Sequence, residues 1–423
     1  MNQTQKHTTG KKLLALLLAL IMTVSLLPMS VFAAEVEAEP DQAVIDLVGD
    51  SQSENGDNLN ADDSAGSDAD PVETIADAAA DQSAVNGIAP LAVDGGTTVI
   101  AGSDFQNPGG NETGAQTVTN ILTQMQNAGY AKADGFLFCG DYDYSTVNNR
   151  TSTEAGITAL KNAVTGSYSA LTDDRIVLVE GNHDAAAANG LATSGAHDAA
   201  KYGVFVINED DYMWRNSDGT TIQNTANALD AYLDAKVTEE YHNPIFVLSH
   251  LPLHYSMRTR NDGDGMYANY IFNVLNKAGE SGLNIIFLYG HDHSNGWDDY
   301  LGGSAVYLAK GDQINIAQES KTNFNVETLN FTYMNAGFTG YYENHNGADD
   351  KLTMTVFSIT DDAVTVKRYS ADGVHKLKSA GVTNSYKNES GYAPNTTVYE
   401  SPQTIALGSV TPPATVFDHR YMH

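Results

Sequence analysis

The chain has 423 residues, with 53 acidic and 22 basic side chains and a formal net charge of −31 at pH 7. That length is enough for one large domain or two ordinary ones. Proteins that bind long nucleic acids by their phosphates need clustered lysine and arginine, so the charge argues against a nucleic-acid partner. A small phosphorylated substrate is not excluded, because a metal site can supply positive charge locally.

The first 34 residues have the pattern of a secretory signal peptide. Three lysines precede an apolar run over residues 13–27, Pro28 follows it, and small residues end the segment at Ala33 and Ala34. The alternative is a membrane anchor, but the run is shorter than the roughly 20 residues that span a bilayer. We therefore predict bacterial-type export through residues 1–34, a secreted or cell-surface location, and no stable membrane insertion after cleavage.

Residues 35–96 differ in composition from the rest of the chain. They contain many acidic residues, separated mostly by Ala, Ser, Asn and Gly, and no lysine or arginine. Such a segment buries too little apolar area to offset the entropy of ordering it. We predict an acidic disordered linker.

From residue 97 to about residue 290, apolar strands alternate with helical patterns. The strands are predicted at 97–101, 135–139, 176–179, 202–207, 244–248 and 284–289. A helix that ends near Gly129 is indicated by apolar residues at i, i+3, i+4 and i+7, namely Val118, Ile121, Leu122 and Met125. Similar patterns follow the later strands, and the β-α-β series predicts parallel strands with helices packed outside.

After residue 300 the chain has strands without intervening helices. They are predicted at 305–308, 328–334, 352–359 and 363–369, the last two as a hairpin that turns at Asp361-Asp362. We predict that these strands form a second, more antiparallel sheet packed on the first. The folded domain is expected to cover residues 97–370, and residues 371–423 are expected to be a tail or an incomplete module.

Cys139 is the only cysteine of the chain, so no disulfide framework is possible. It ends the apolar run that begins at Phe136. A small buried residue is the favoured interpretation, and a catalytic nucleophile is the alternative.

Five of the predicted strands end in side chains that can bind metals or move protons. These side chains are Asp104 and Gln106, Asp141 and Tyr144, Asn182 and His183, His250, and finally His291 and His293. Because the carboxyl ends of strands in α/β sheets form the ligand-binding edge, we expect them to converge. Mixed nitrogen and oxygen ligands suit Mn, Fe, Co or Zn, and a shared carboxylate allows two metals about 3.5–4 Å apart.

The order of these motifs resembles that of the calcineurin-like metallophosphoesterases, the superfamily that includes the purple acid phosphatases. The resemblance covers about residues 97–370. It rests on Gly140-Asp141, on Gly-Asn-His-Asp at 181–184, on His250 and on Gly-His-Asp-His at 290–293. It implies an α/β fold, a four-layer α/β/β/α sandwich of two mixed β-sheets flanked by helices. It also implies a phosphoric ester hydrolase in which a metal-bridged hydroxide attacks a phosphate mono- or diester.

The resemblance also implies a role for each motif residue. Asp141 would bridge two divalent ions, with Mn, Fe or Zn as candidates. Asp104 and His293 would bind the first ion, and Asn182, His250 and His291 would bind the second. His183, outside the metal shell, would protonate the leaving oxygen or stabilise charge in the transition state, and Asp184 would orient His183.

Two positions depart from the pattern of the resembled family. Its first motif is usually Asp-x-His, whereas Gln106 stands here in place of the histidine. As a ligand, Gln106 would lower selectivity for Zn and favour Mn, Fe or the harder Mg and Ca. Tyr144 stands where an aspartate is usual; it is either a metal-bound tyrosinate, as in purple acid phosphatases, or a residue that lines the pocket.

The substrate expected from this pattern is a small phosphorylated molecule, and a monoesterase or small diesterase is favoured over a nuclease. His254 is a candidate substrate contact, with an exposed side chain as the alternative, and Arg258 could reach a substrate phosphate. A different interpretation is a surface-displayed binding or scaffold module with a degraded metal site. The presence of both His183 and Asp184 favours the enzyme. The sequence gives no prediction of oligomeric state.

Overall fold

The computed structural model describes residues 96–106, 112–143, 149–212, 219–256, 259, 263–291, 306–340, 352–375, 399 and 401–411. All of them lie in one compact unit, Ala80–His423. The predicted signal peptide and nearly all of the predicted linker lie outside the described residues, as do Tyr144, Arg258 and His293. Within the described residues, no helix combines the length and the apolar character that crossing a membrane requires.

The helices are α1 Glu112–Asn127, α2 Arg150–Ser167, α3 Glu209–Tyr212, α4 Thr220–Thr238 and α5 Ala268–Glu280. The strands of the first half are β1 Thr97–Gly102, β2 Gly135–Cys139, β3 Ile176–Val179, β4 Gly195–Ala196, β5 Gly203–Ile207, β6 Ile245–Ser249 and β7 Ile285–Tyr289. Those of the second half are β8 Tyr307–Leu308, β9 Gln313–Ala317, β10 Phe324–Thr328, β11 Thr332–Asn335, β12 Gly337–Phe338, β13 Thr353–Ile359, β14 Ala363–Ser370, β15 Gly373–His375 and β16 Gln403–Ala406.

Two mixed sheets organise the domain. Sheet A has the order β15-β14-β13-β1-β2-β3, and β12 and β16 pair with β13 and β14. Its strands β1, β2 and β3 are parallel, whereas β13 is antiparallel to β1. Sheet B has the order β4-β5-β6-β7-β11-β8, in which β5, β6, β7 and β11 are parallel and the two edge strands are antiparallel.

Three buried clusters hold the layers together. One lies between the sheets, where for example the rings of Phe246 and Phe357 meet with centroids 5.0 Å apart. A second cluster packs α1 and α2 on sheet A, and a third packs α4 and α5 on sheet B. The layer order is therefore helices, sheet A, sheet B, helices, and the predicted α/β fold class with two mixed sheets flanked by helices is confirmed.

Helices are present where the apolar periodicity of the sequence predicted them. In α1, the residues Val118, Ile121, Leu122 and Met125 are all fully buried. The helix ends at Asn127, two residues before Gly129, whose φ of 100° lies in the left-handed region that favours glycine.

The predicted division of strands between the sheets is wrong. Strands β1 to β3 share sheet A with the β13–β14 hairpin, whereas β5 to β7 belong to sheet B together with β11. The chain passes from sheet A to sheet B between β3 and β4, and it returns at Ala336, between β11 and β12. The apolar pattern of a strand does not indicate which sheet it joins, because the strands of both sheets are equally apolar.

The second half of the chain contains strands that the sequence pattern did not predict. Residues 328–334 do not form one strand, since β10 ends at Thr328 and β11 begins at Thr332. β10 pairs with β9, and its mostly exposed side chains leave only a weak apolar pattern. β15 and β16 both pair with β14, so sheet A extends beyond the expected domain boundary at residue 370.

Candidate metal centre

The predicted residues are brought together where the strands of the two sheets end. Within sheet A, the loop after β1 bonds to the loop after β2, because Asp104 N–H donates to Gly140 O at 2.9 Å and Gln106 N–H to Asp141 O at 2.9 Å. Between the sheets, the N–H of His291 donates to both carboxylate oxygens of Asp104 at 3.0 and 3.1 Å. Backbone N–H groups of Asp104, Gln106 and His291 thus hold these loops together.

The backbone of this region is strained. Asp104, Gln106, Asp141 and His291 have φ values of 52°, 42°, 62° and 68°. They make up four of the six described non-glycine residues with positive φ. Each such conformation costs about 1–3 kcal/mol and persists only where the surrounding structure determines it. The concentration of strain at the strand ends marks a functional site.

Glycine precedes the polar residues at three of the strand ends because no side chain fits there. A Cβ atom at Gly181 would lie 2.2 Å from Asp141 Oδ1. One at Gly290 would lie 2.7 Å from Asp104 Oδ2, and one at Gly140 would lie 2.7 Å from the Nδ1 atom of a neighbouring histidine. The glycines therefore allow the functional side chains to approach the backbone of the next loop.

Four side-chain atoms form a connected cluster, one from each of the loops that follow β2, β3, β6 and β7. They are Asp141 Oδ1, Asn182 Oδ1, His250 Nε2 and His291 Nδ1. Nε2 of His250 lies 2.8 Å from Asn182 Oδ1 and 3.4 Å from Asp141 Oδ1. Nδ1 of His291 lies 3.0 Å from Asn182 Oδ1 and 3.2 Å from His250 Nε2.

Each of these four separations lies in the range expected between neighbouring ligands of one divalent cation. Metal–ligand bonds of about 2.0–2.2 Å at angles of about 90–110° place neighbouring ligand atoms about 2.8–3.6 Å apart. A carboxylate, an amide oxygen and two imidazoles form a mixed oxygen and nitrogen set that suits Mn, Fe, Co or Zn. The donor set at this point therefore fits a divalent metal ion.

The outer nitrogens of the two histidines have oxygen partners. Nδ1 of His250 lies 2.7 Å from Cys139 O, and Nε2 of His291 lies 3.2 Å from Asp264 Oδ2. A carbonyl oxygen or a carboxylate only accepts hydrogen bonds, so both outer nitrogens carry hydrogen. Asp264 was not predicted from the sequence, since it follows no strand and the only signal was its position between two glycines.

The side chains expected to bind the other ion lie beside this point. Ligand atoms of Asp104, Asp141 and His250 all lie within 4.8 Å of one another. Nε2 of the buried Gln106 lies 3.4 Å from Asp141 Oδ2, and Ser103 Oγ donates to Asp104 Oδ2 at 2.5 Å. His293 and Tyr144, the other predicted ligands, lie outside the described residues.

The centre also contains a buried ion pair. Burial raises the pKa of Asp141, but the nearby His250 and His183 more than offset this and hold the pKa below its ordinary value. Burial lowers the pKa of His250, whereas the charge of Asp141 raises it, with a result of about 10. Each group thus favours the charged form of the other.

His183 lies at the rim of the centre. Its side chain is 23% exposed, and its Nε2 atom is 3.9 Å from Asp141 Oδ2. Its backbone N–H donates to Asp141 Oδ1 at 3.1 Å. The ring is thus adjacent to the ligand set and open to solvent.

Asp184 accepts three backbone hydrogen bonds that the sequence did not predict, and its orientation of His183 stays a prediction. Its Oδ2 atom accepts the N–H of Asp141 at 2.9 Å and that of Gly181 at 2.8 Å, and its Oδ1 atom accepts the N–H of Tyr142 at 2.9 Å. The carboxylate thus ties the loops after β2 and β3 together.

His254 and Cys139 are both buried, which bears on whether His254 is exposed and whether Cys139 is a nucleophile. His254 is fully buried, with Nδ1 2.8 Å from Tyr333 OH and its ring 5.6 Å from that of Tyr289, so an exposed side chain is wrong. Contact of His254 with substrate stays a prediction. Burial raises the pKa of the Cys139 thiol well above its usual range, which supports the predicted buried residue over a nucleophile.

Residues 98–295 match the protein family described as calcineurin-like phosphoesterase. No curated protein has a significant match to the chain.

Solved structures similar to the chain include proteins from three organisms. A dimetal phosphatase from Danio rerio is 12% identical, with 67% of this chain and 99% of that chain covered and a TM-score of 0.41. GAP50, the anchor in the inner membrane complex of Plasmodium, is 11% identical over 71% and 96% of the two chains, with a TM-score of 0.37. Vacuolar protein sorting 29 from Cryptosporidium parvum is 8% identical over 74% and 98%, with a TM-score of 0.30. Similarity at this level carries no information on substrate or partners.

Proposed function

We propose that the chain is a member of the calcineurin-like phosphoesterase family, which residues 98–295 match, and that it is an exported, metal-dependent phosphoric ester hydrolase with two divalent ions. The observation that carries the proposal is the cluster of Asp141 Oδ1, Asn182 Oδ1, His250 Nε2 and His291 Nδ1, in which successive contacts are 2.8–3.4 Å long. Export rests on the pattern of residues 1–34.

Two sets of side chains would hold the ions. The four converging atoms form one set. Asp104, Gln106 and Asp141, together with His293 from the sequence pattern, form the other. When bound, the ions supply positive charge for the phosphate and lower the pKa of water from about 15.7 toward 7. Mn, Fe and Zn are the candidate metals, because oxygen and imidazole donors suit all three.

His183 would serve as the general acid. Its ring lies beside the ligand set, is partly exposed, and has its backbone anchored to Asp141. From Nε2 it can donate a proton to the leaving oxygen of a substrate held at the rim. Asp184 would act on catalysis through the loops that it ties together.

The charge of the chain supports a small substrate. A net charge of −31 disfavours a long polyanion, whereas a compact phosphate mono- or diester needs only the local charge of the metal centre. A monoesterase or small diesterase is therefore proposed rather than a nuclease.

The second candidate is a binding or scaffold module on the same fold. One observation favours it, namely that Gln106 stands where a histidine ligand is usual for the resembled family. Against it, the donor set around Asn182 has four suitable atoms with mutually consistent separations. A decayed site has no reason to keep that geometry, so the hydrolase is the favoured candidate.

The experiment that tests the proposal measures metal content and hydrolysis of aryl phosphate mono- and diesters. We expect about two equivalents of Mn, Fe or Zn per chain and hydrolysis that a chelator abolishes and metal restores. His250→Ala should lose both properties, whereas the matched control His242→Ala, at an exposed position, should keep them. Protein that binds no metal would refute the proposal, and protein that binds metal but hydrolyses neither ester class would favour the scaffold.

A further inference from the structure

Asp264 is a buried carboxylate in a loop that is constrained around it. The residue is only 6% exposed. Its neighbours Gly263 and Gly265 have φ values of 94° and 71°, a region that glycine adopts at little cost. The loop is closed by hydrogen bonds from Gly263 N–H to Thr259 O at 3.0 Å and from Met266 N–H to Gly263 O at 3.2 Å. The backbone thus turns on both sides of one acidic residue.

Helix capping does not account for this carboxylate. α5 begins at Ala268, its N-cap is Tyr267, and no side chain makes the cap hydrogen bond. A carboxylate removed from water costs several kcal/mol of unfolding free energy unless charged or polar groups compensate it. The burial of Asp264 therefore requires another interaction.

One such interaction is with His291. Oδ2 of Asp264 lies 3.2 Å from His291 Nε2, and both side chains are almost fully buried. Because the carboxylate only accepts, the hydrogen bond places a hydrogen on Nε2. In a neutral ring the lone pair then lies on Nδ1, which is 3.0 Å from Asn182 Oδ1 and 3.2 Å from His250 Nε2.

In His250 the two ring nitrogens have the opposite roles to those in His291. Its Nδ1 atom is held by Cys139 O at 2.7 Å, and its Nε2 atom faces the same point. The two histidines thus present opposite nitrogens to one centre, each with an oxygen acceptor on the other nitrogen. Such outer acceptors determine which nitrogen of a histidine is available as a ligand.

We propose that Asp264 is a positioning residue that fixes the Nε2–H tautomer and the ring orientation of His291, so that Nδ1 faces the metal centre. The consequence for metal binding rests on the proposed function, whereas the tautomer itself does not. Loss of such an outer partner weakens metal binding by about 10–100-fold. Asp264→Ala should show this loss, and Asp264→Asn should show a smaller one, because the amide oxygen can still accept from Nε2–H.

The test has two readouts. The first is the tautomer of neutral His291, from long-range ¹H–¹⁵N correlation spectra of the full chain before metal is added, with the signals assigned through His291→Gln. The second is Mn²⁺ and Zn²⁺ affinity by competition with a chromophoric chelator, for the wild type, both Asp264 variants and the control Asp230→Asn. Asp230 is an exposed carboxylate that pairs with Lys277, so the control should bind metal as the wild type does.

We expect the Nε2–H tautomer in the wild type, its loss in Asp264→Ala, and the order of affinities wild type, Asn, Ala. A wild-type ring in the Nδ1–H form, or wild-type affinity in Asp264→Ala, would overturn the proposal. The wild-type tautomer decides the matter even where a variant does not fold. Wild-type protein that binds neither metal would refute the proposed function, while the spectra would still show whether Asp264 holds the Nε2 hydrogen.

Discussion

Replacing Gly181 by alanine should disrupt the metal centre through a single methyl group. Gly181 lies between β3 and Asn182, and its position faces the loop after β2. The new Cβ would lie 2.2 Å from Asp141 Oδ1, 2.5 Å from Asp141 N and 3.0 Å from Asp141 Cγ. Two of these atoms belong to the carboxylate that both ligand sets share, so that carboxylate must move.

The size of the effect follows from those distances. Ordinary contacts begin near 3.4 Å, so the carboxylate oxygen has to withdraw by about 1 Å. The N–H groups of Gly181 and Asp141 both bond to Asp184 Oδ2, at 2.8 and 2.9 Å, and a shift of the loop weakens these bonds as well. Overpacking of this kind costs about 1–3 kcal/mol of unfolding free energy. A ligand displaced by about 1 Å lowers activity about 100-fold.

The assay combines urea unfolding, metal content and turnover of an aryl phosphate. The matched control is Gly166→Ala in α2, where a Cβ would meet nothing within 4 Å. That substitution should raise the unfolding free energy by about 0.4–1 kcal/mol and leave metal content unchanged. If Gly181→Ala kept wild-type stability, metal and turnover, the close packing of the loops after β2 and β3 would be refuted as the basis of the site.

Three further substitutions test separate parts of the account. His183→Ala should keep the metal content and lose about 10²–10⁴-fold in turnover, since only the proton donor is removed; equal loss of metal and turnover would show that His183 is misassigned. Asp184→Ala should lower the unfolding free energy by at least about 3 kcal/mol in urea titrations, because three buried N–H groups lose their acceptor. A change below about 1 kcal/mol would contradict the role of Asp184 in joining the loops after β2 and β3. Arg368→Met should raise the unfolding free energy by about 1–3 kcal/mol, because burying the unpaired guanidinium charge is costly. The guanidinium is fully buried, burial lowers its pKa to about 9, and no described carboxylate pairs with it. A loss of stability would show that the hydrogen bond from Arg368 to Asn335 O outweighs the cost of burying the charge.

The ligands were predictable because each follows a short strand that is almost entirely apolar. Asp141, His250 and His291 come after runs such as Ile245–Ser249, and glycine marks the sharp turn before two of them. A buried strand followed by glycine and a polar residue has few explanations other than a functional loop. Residue type and order were therefore enough to assign these positions to one site.

The pairing of the strands was not predictable from the same pattern. β3 and β6 look alike in sequence, yet β3 lies in sheet A and β6 in sheet B. The difference comes from the path of residues 180–202, which has no apolar periodicity. The contact between His291 N–H and Asp104, which joins the two sheets, follows from that path alone.

The contacts of the supporting carboxylates were missed for a related reason. Asp264 lies in a glycine-rich loop whose sequence is typical of a solvent-exposed turn. Asp184 was assigned to its neighbour His183, and its bonds to the backbone 42 and 43 positions earlier in the chain, at Tyr142 and Asp141, were not predicted. Long-range hydrogen bonds of this kind leave no periodic signal in a sequence.

The most direct test of the central claim is an anomalous-scattering map of crystals grown with Mn²⁺ or Zn²⁺. We predict one peak among Asp141 Oδ1, Asn182 Oδ1, His250 Nε2 and His291 Nδ1, at about 2.0–2.2 Å from each, and a second beside Asp104. An empty centre in the presence of either metal, or peaks only at the nearby acidic cluster of Glu180, Glu209 and Asp210, would contradict the account.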